Sequence, residues 1–190
     1  MNDLKFFTNM PERDLYSRFS TILRNHTQFL DILVGYFRTS GFFRLYSAMK
    51  DIEEIRVLVG LNVDRKTVEI IDRVNGQPTI KQATAVFSDA IEAEFEEAPT
   101  SADVEKGVRY FIEWLKTGKL QLRMYVEAPL HAKVYIMRKD PNYADYYGSV
   151  ITGSSNFSEA GLVNNLEFNV ELRDCADVTF ALERFEELWQ

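Results

Sequence analysis

The groups able to do chemistry gather in two short stretches, His131-Ala132-Lys133 and Gly153-Ser154-Ser155-Asn156. Residues two apart on a strand point to the same face, so the His131 imidazole and the Lys133 ammonium stand side by side. A Gly-Ser-x-Asn turn brings the Ser154 hydroxyl and the Asn156 amide to meet them. Cleaving a phosphodiester calls for a nucleophile that can carry a phosphoryl group, cations or N–H donors for its equatorial oxygens, and an acid for the departing alkoxide. His131, Lys133 and Asn156 suit the first two tasks.

An attacking imidazole needs one ring nitrogen free and the other held by an acceptor. Glu167 is the expected acceptor. The stretch from Leu166 to Leu172 alternates, which sets Phe168, Val170 and Leu172 on one face and Glu167, Asn169 and Glu171 on the polar one. Taken singly, each residue has a plainer role. A lone strand histidine is packed or solvated, Asn156 or Ser158 simply caps the turn that follows, and an exposed strand glutamate pairs with a lysine. Ser155, Asn164 and Asn165 read as turn residues. Rival chemistries lack their residues: the chain has no Cys-His zinc cluster, no phosphate loop of the Gly-x-x-x-x-Gly-Lys type and no Gly-x-Ser-x-Gly elbow.

Hydrophobic periodicity supplies the scaffold. Pro11-Glu12-Arg13 with Leu15, Phe19, Ile22 and Leu23 predicts a Pro-first amphipathic helix, and Phe29 to Phe37 a buried strand, with Gly35-Tyr36-Phe37 inside it. Ser40 is expected to cap a short helix through Met49, and Ile55 to Leu61 forms a second strand. Strand, helix, strand implies a right-handed parallel crossover and an α/β fold. A helix is expected from Lys81 to Ala98, and another after a cap at Pro99 to Asp103, with Val104, Val108, Phe111 and Leu115 on one face and Gly118 ending it. Strands follow at Leu120 to Val126, Ala132 to Met137, Ser149 to Thr152 and Leu166 to Leu172, the middle two joined by a wide hairpin through Asp140 to Gly148. A last helix carries Val178, Leu182, Phe185 and Trp189.

With 190 residues, 46% of them hydrophobic, the chain suits one domain over residues 1–190. The lone Cys175 and the absence of a cationic, apolar leader point to a reducing, cytoplasmic setting, and no apolar run is long enough to span a membrane. A net charge of −7 argues against a general electrostatic grip on nucleic acid. If the domain handles DNA, something other than bulk charge supplies much of the affinity.

His131-x-Lys133 followed by Gly153-Ser154-x-Asn156 resembles the motif of the phospholipase D superfamily, and Glu167 stands where that superfamily's nucleases place a glutamate that orients the histidine. The runs Gly153 to Leu162 and Asn165 to Val170 are similar to the phospholipase D-like domain at the amino end of some bacterial Swi/Snf-type and DEAD-box helicases. The resemblance implies an α/β layered sandwich, a mixed β-sheet flanked by helices, at the front of a longer chain with helicase domains behind it. It implies a hydrolase, a phosphodiesterase or nuclease working without metal or other cofactor through a phosphohistidine. Its substrate would be DNA, with His131, Lys133, Asn156 and Glu167 catalytic and Ser154 binding substrate. A second His-Lys motif normally supplies the opposing histidine. The chain has two histidines, and His26 has no lysine two places on, so the resemblance implies a homodimer pairing two copies of His131. The alternative it leaves is a degenerate module that binds DNA or dimerises a helicase without cutting. One position departs from the motif: Arg138 stands where the superfamily has an aspartate, and Asp140 could replace it only through a bulge, which is not expected.

Overall fold

The computed structural model describes residues 5–60, 102–142 and 147–190. Seven strands among them form one mixed sheet: β1 (Phe6–Thr8), β2 (Phe29–Val34), β3 (Glu54–Gly60), β4 (Leu120–Tyr125), β5 (Lys133–Arg138), β6 (Gly148–Gly153) and β7 (Phe168–Leu172). Their order across the sheet is β1-β7-β6-β5-β2-β3-β4. β2, β3 and β4 are parallel neighbours, while β2, β5, β6, β7 and β1 pair antiparallel.

Helices cover both faces. On one lie α1 (Leu15–His26), α2 (Thr39–Leu45) and α3 (Ala102–Thr117), sharing a core with Ile32, Val34, Val57, Val59, Tyr135 and Ile151. On the other lies α4 (Cys175–Trp189), whose Val178, Phe185 and Trp189 pack against Leu33, Leu58, Ile136 and Val150. β2 and β3 are apolar on both sides apart from the buried pair Asp31 and Arg56, because helices cover both sides. The predicted parallel crossover and mixed α/β sheet are therefore the observed ones. Among the described residues no helix is long and apolar enough to cross a membrane.

Several local expectations need correction. Pro11 opens a separate 3₁₀ turn, and α1 is capped by Asp14, whose carboxylate accepts from the Tyr16 and Ser17 N–H groups at 3.0 and 3.1 Å. The N-cap position of α2 is Arg38, so Ser40 lies inside the helix and its hydroxyl instead accepts from the Glu159 N–H. On α3 the buried stripe is Gly107, Phe111 and Trp114, leaving Leu115 exposed. The helix expected from Lys81 to Ala98 lies outside the described residues.

The larger correction is β7, where Asn169 and Glu171 are each 1% exposed while Phe168 is 61% exposed. Polar partners on the α1 side explain the burial. Glu171 accepts from Arg18 of α1 at 2.8 Å and from Arg173 at 2.7 Å, and Asn169 meets Ser155. The short edge strand β1 gave no periodic signal in the sequence.

Candidate functional site

The site sits where the parallel strands end. Past β2 the chain bends at Gly35, whose N–H donates to the Ala132 carbonyl at 2.9 Å. The Leu130–His131 segment then crosses directly over the ends of β2 and β3. A Cβ on Gly35 would lie 2.8 Å from the Leu130 oxygen and one on Gly60 2.5 Å from it, so only glycine at both positions allows this approach. The carboxyl ends of parallel strands, where connections diverge, are the usual ligand-binding edge of α/β sheets.

His131 precedes β5 and is exposed. Lys133 is the first residue of β5, paired with Val34, and its Nζ lies 3.3 Å from His131 Nε2 and 3.4 Å from Nδ1. The same-face reading of the two side chains holds. An ammonium thus stands beside an imidazole that is open to solvent.

The Gly153–Asn156 loop leaves the end of β6, and buried contacts anchor it. Ser155 is fully buried, and its carbonyl accepts from the Tyr135 hydroxyl at 2.8 Å. The Ser155 hydroxyl accepts from Asn169 Nδ2 at 2.8 Å. Burial pushes the Tyr135 phenol well above its ordinary range, with the charge of Glu167 adding to the effect, so it stays a donor. Ser155 therefore braces the loop from below. The Ser158 hydroxyl accepts from the Gly161 N–H at 3.1 Å, just ahead of and into the π-helical turn Ala160–Asn164, whose N-cap position is Glu159. Phe157 stacks on Phe37 at 5.2 Å and fixes the loop to the chain leaving β2.

Asn156 is half-buried, and its side-chain Oδ1 is shut from solvent with no hydrogen-bond partner. Glu167 precedes β7 and is held by the Ser154 hydroxyl and by Asn165 Nδ2, the latter at 3.2 Å. Among the described residues no hydrogen bond joins Glu167 to His131. Asn165 is thus more than a turn residue.

Arg138 ends β5 on the α4 side. Its Nε donates to Asp31 Oδ2 at 3.0 Å, while Arg56 Nε donates to Asp31 Oδ1 at 2.6 Å and its Nη2 to Glu186 of α4 at 2.6 Å. Burial disfavours the Arg56 charge, but Asp31 and Glu186 outweigh it and hold the guanidinium charged. The carboxylate missing from position 138 is present on the neighbouring strand as Asp31. Asp140 lies beyond β5, where it accepts from the Asn142 N–H at 2.9 Å, and the β5–β6 register runs unbroken to Arg138 and Gly148, so there is no bulge.

Sequence reasoning missed Tyr135, Asn169, Gly35 and Gly60. Tyr135 had no signal, being one aromatic in an apolar strand, whereas Asn169 was visible as the next polar residue after Glu167. Tyr36, read as core strand, lies past the end of β2 and is half-exposed.

A mixed sheet flanked by helices on both faces has counterparts among known proteins. Residues 20–189 match the family described as the phospholipase D-like domain of cardiolipin synthase, and the chain belongs to that phospholipase D-like family. Its fold is similar to NucT from Helicobacter pylori (13% identity, TM-score 0.51, covering 97% of this chain and 93% of NucT). It is also similar to Nuc from Salmonella typhimurium, a phospholipase D family member (14%, 0.53, 97% and 92%). A third likeness is to phosphatidylserine synthase from Haemophilus influenzae (12%, 0.55), of which the match covers 37% while spanning 97% of this chain. At these identities the likeness is one of fold. Among curated proteins no sequence matches the chain.

Proposed function

We propose that this domain is a metal-independent phosphodiesterase, a nuclease acting on DNA through a phosphohistidine at a site shared by two copies of the chain. The observation that carries the reading is the Lys133 ammonium 3.3 Å from an exposed His131 imidazole, at the end of β5 where its neighbour β6 runs into the anchored Ser154–Asn156 loop. In this scheme a ring nitrogen of His131 attacks phosphorus and the bond to the leaving oxygen breaks. The departing alkoxide takes a proton from His131 of the partner subunit. Water, deprotonated by that same ring, then attacks the phosphohistidine and frees His131. Lys133, Asn156 and Ser154 hold the phosphoryl oxygens, and Glu167 orients His131 once substrate draws Ser154 away from it. The helicase domains implied by the sequence resemblance belong to this proposal as flanking partners.

The test incubates the purified chain with plasmid DNA and with bis(p-nitrophenyl) phosphate in EDTA, His131→Ala in parallel. Cleavage in chelator that vanishes in the variant is expected, with a dimer in analytical ultracentrifugation. Cleavage that persists in His131→Ala refutes the reading. A second reading, a DNA-binding or dimerisation module without turnover, draws on Arg138 at the aspartate position and on the Ser154–Glu167 contact. DNA binding with no cleavage by either protein selects it.

A further inference from the structure

The segment Tyr36-Phe37-Arg38 joins the two halves of the site, yet no part of the proposed chemistry uses it. At one end it follows Gly35, whose Cβ, were there one, would lie 3.2 Å from His131 Cα and 3.7 Å from the imidazole Cδ2. At the other end the Arg38 N–H donates to the Phe157 carbonyl at 2.9 Å, one residue past Asn156. Phe37 alone turns inward, stacked on Phe157 with 7° between the ring planes. Tyr36 is half-exposed and Arg38 exposed, and the Arg38 guanidinium lies over the Tyr36 ring, 4.8 Å from its centroid.

The pair stands on the surface where the two halves of the site meet. It offers a flat π surface and a delocalised cation at one spot, the combination that grips an unpaired base and its phosphate. The charge balance asks for such a device. At −7 overall, the chain cannot draw its hold on a polyanion from bulk electrostatics, and stacking is a source of affinity that does not depend on net charge. A simple alcohol headgroup would make no use of the ring.

We infer that Tyr36 and Arg38 form a nucleotide-binding platform, on which an unpaired base next to the scissile phosphate stacks while Arg38 holds a backbone phosphate. The inference rests on the reading of the site as one for phosphodiesters and narrows its substrate to a single-stranded nucleic-acid segment. In this arrangement the base rests on the Tyr36 ring while Lys133 and Asn156 meet the scissile phosphate.

The test is binding, so that it stands apart from turnover. A single-stranded oligonucleotide carrying 2-aminopurine is titrated with the His131→Ala protein, with His131→Ala/Tyr36→Ala and with His131→Ala/Tyr36→Phe, all in EDTA. Stacking quenches 2-aminopurine, so the His131→Ala protein and its Phe derivative are expected to quench it. The Ala derivative is expected to lose the quench and to bind about ten- to a hundredfold more weakly. Equal affinity and equal quenching in the Ala derivative overturn the inference, as does failure of the His131→Ala protein to bind. A duplex of the same sequence is expected to bind more weakly than the single strand. Retained Tyr36-dependent quenching in a chain that cleaves nothing would refute the catalytic reading and leave the platform standing. Cleavage that ignores Tyr36 would do the reverse.

Discussion

Restoring the superfamily's aspartate with Arg138→Asp is expected to harm this protein. Arg138 Nε lies 3.0 Å from the Asp31 carboxylate, and the two side chains are only 15% and 1% exposed. Losing a hydrogen bond to a charged group costs about 1.5–3 kcal/mol. Setting a second carboxylate beside Asp31 adds about 1–3 kcal/mol at an effective dielectric near 20. Arg56, 2.6 Å from Asp31 on its other side, keeps that carboxylate from being stranded, so the total is held to about 3–5 kcal/mol. For a chain of this size that lowers Tm by about 6–20 °C. Arg138→Met, which removes the bond without adding a charge, should fall about halfway. Thermal unfolding at pH 7 reads both, and the EDTA-resistant phosphodiesterase assay runs alongside. An Arg138→Asp protein that melts at or above the parent and cleaves faster would refute the reasoning, because position 138 would then be a lost motif residue and the Asp31 pair incidental.

Two further outcomes follow from buried groups. Burial opposes the Glu171 charge, but hydrogen bonds and charge from Arg18 and Arg173 outweigh it and hold its pKa below the usual carboxylate value. A depressed folded pKa contributes stability that is present above the unfolded value of about 4.3 and is lost as pH falls through the folded one. Glu171→Gln should therefore cost about 2 kcal/mol at pH 7 and progressively less in acid, read from urea unfolding at pH 7 and pH 3; a gap that does not change with pH contradicts this. Gly35→Ala puts a methyl 2.8 Å from the Leu130 carbonyl and should displace His131. A stability loss of about 1–3 kcal/mol with near-complete loss of turnover is expected, and an active, undisturbed variant would show that the crossing tolerates a side chain.

The sequence alone carried the layered α/β sheet, because β2 and β3 are apolar on both faces but for Asp31 and Arg56, and the helical stripes on α1 and α4 are regular. It also put the His131 and Lys133 side chains next to each other, and they are in contact, although only Lys133 lies on β5 and His131 precedes it. Burial on β7 was not legible: alternation marks two faces but cannot tell which is covered, and a buried Glu171 makes sense only once Arg18 arrives from a helix over a hundred positions away in the chain. The same holds for Arg138, an apparent defect in the motif until Asp31 appears on the adjacent strand, and for Tyr135, whose hydroxyl finds Ser155 only across a folded hairpin. Local spacing fixes which groups share a face, whereas the partners that satisfy a buried charge or donor are long-range. Those partners were settled by packing, because a polar group withdrawn from water is stable only where the fold delivers its complement.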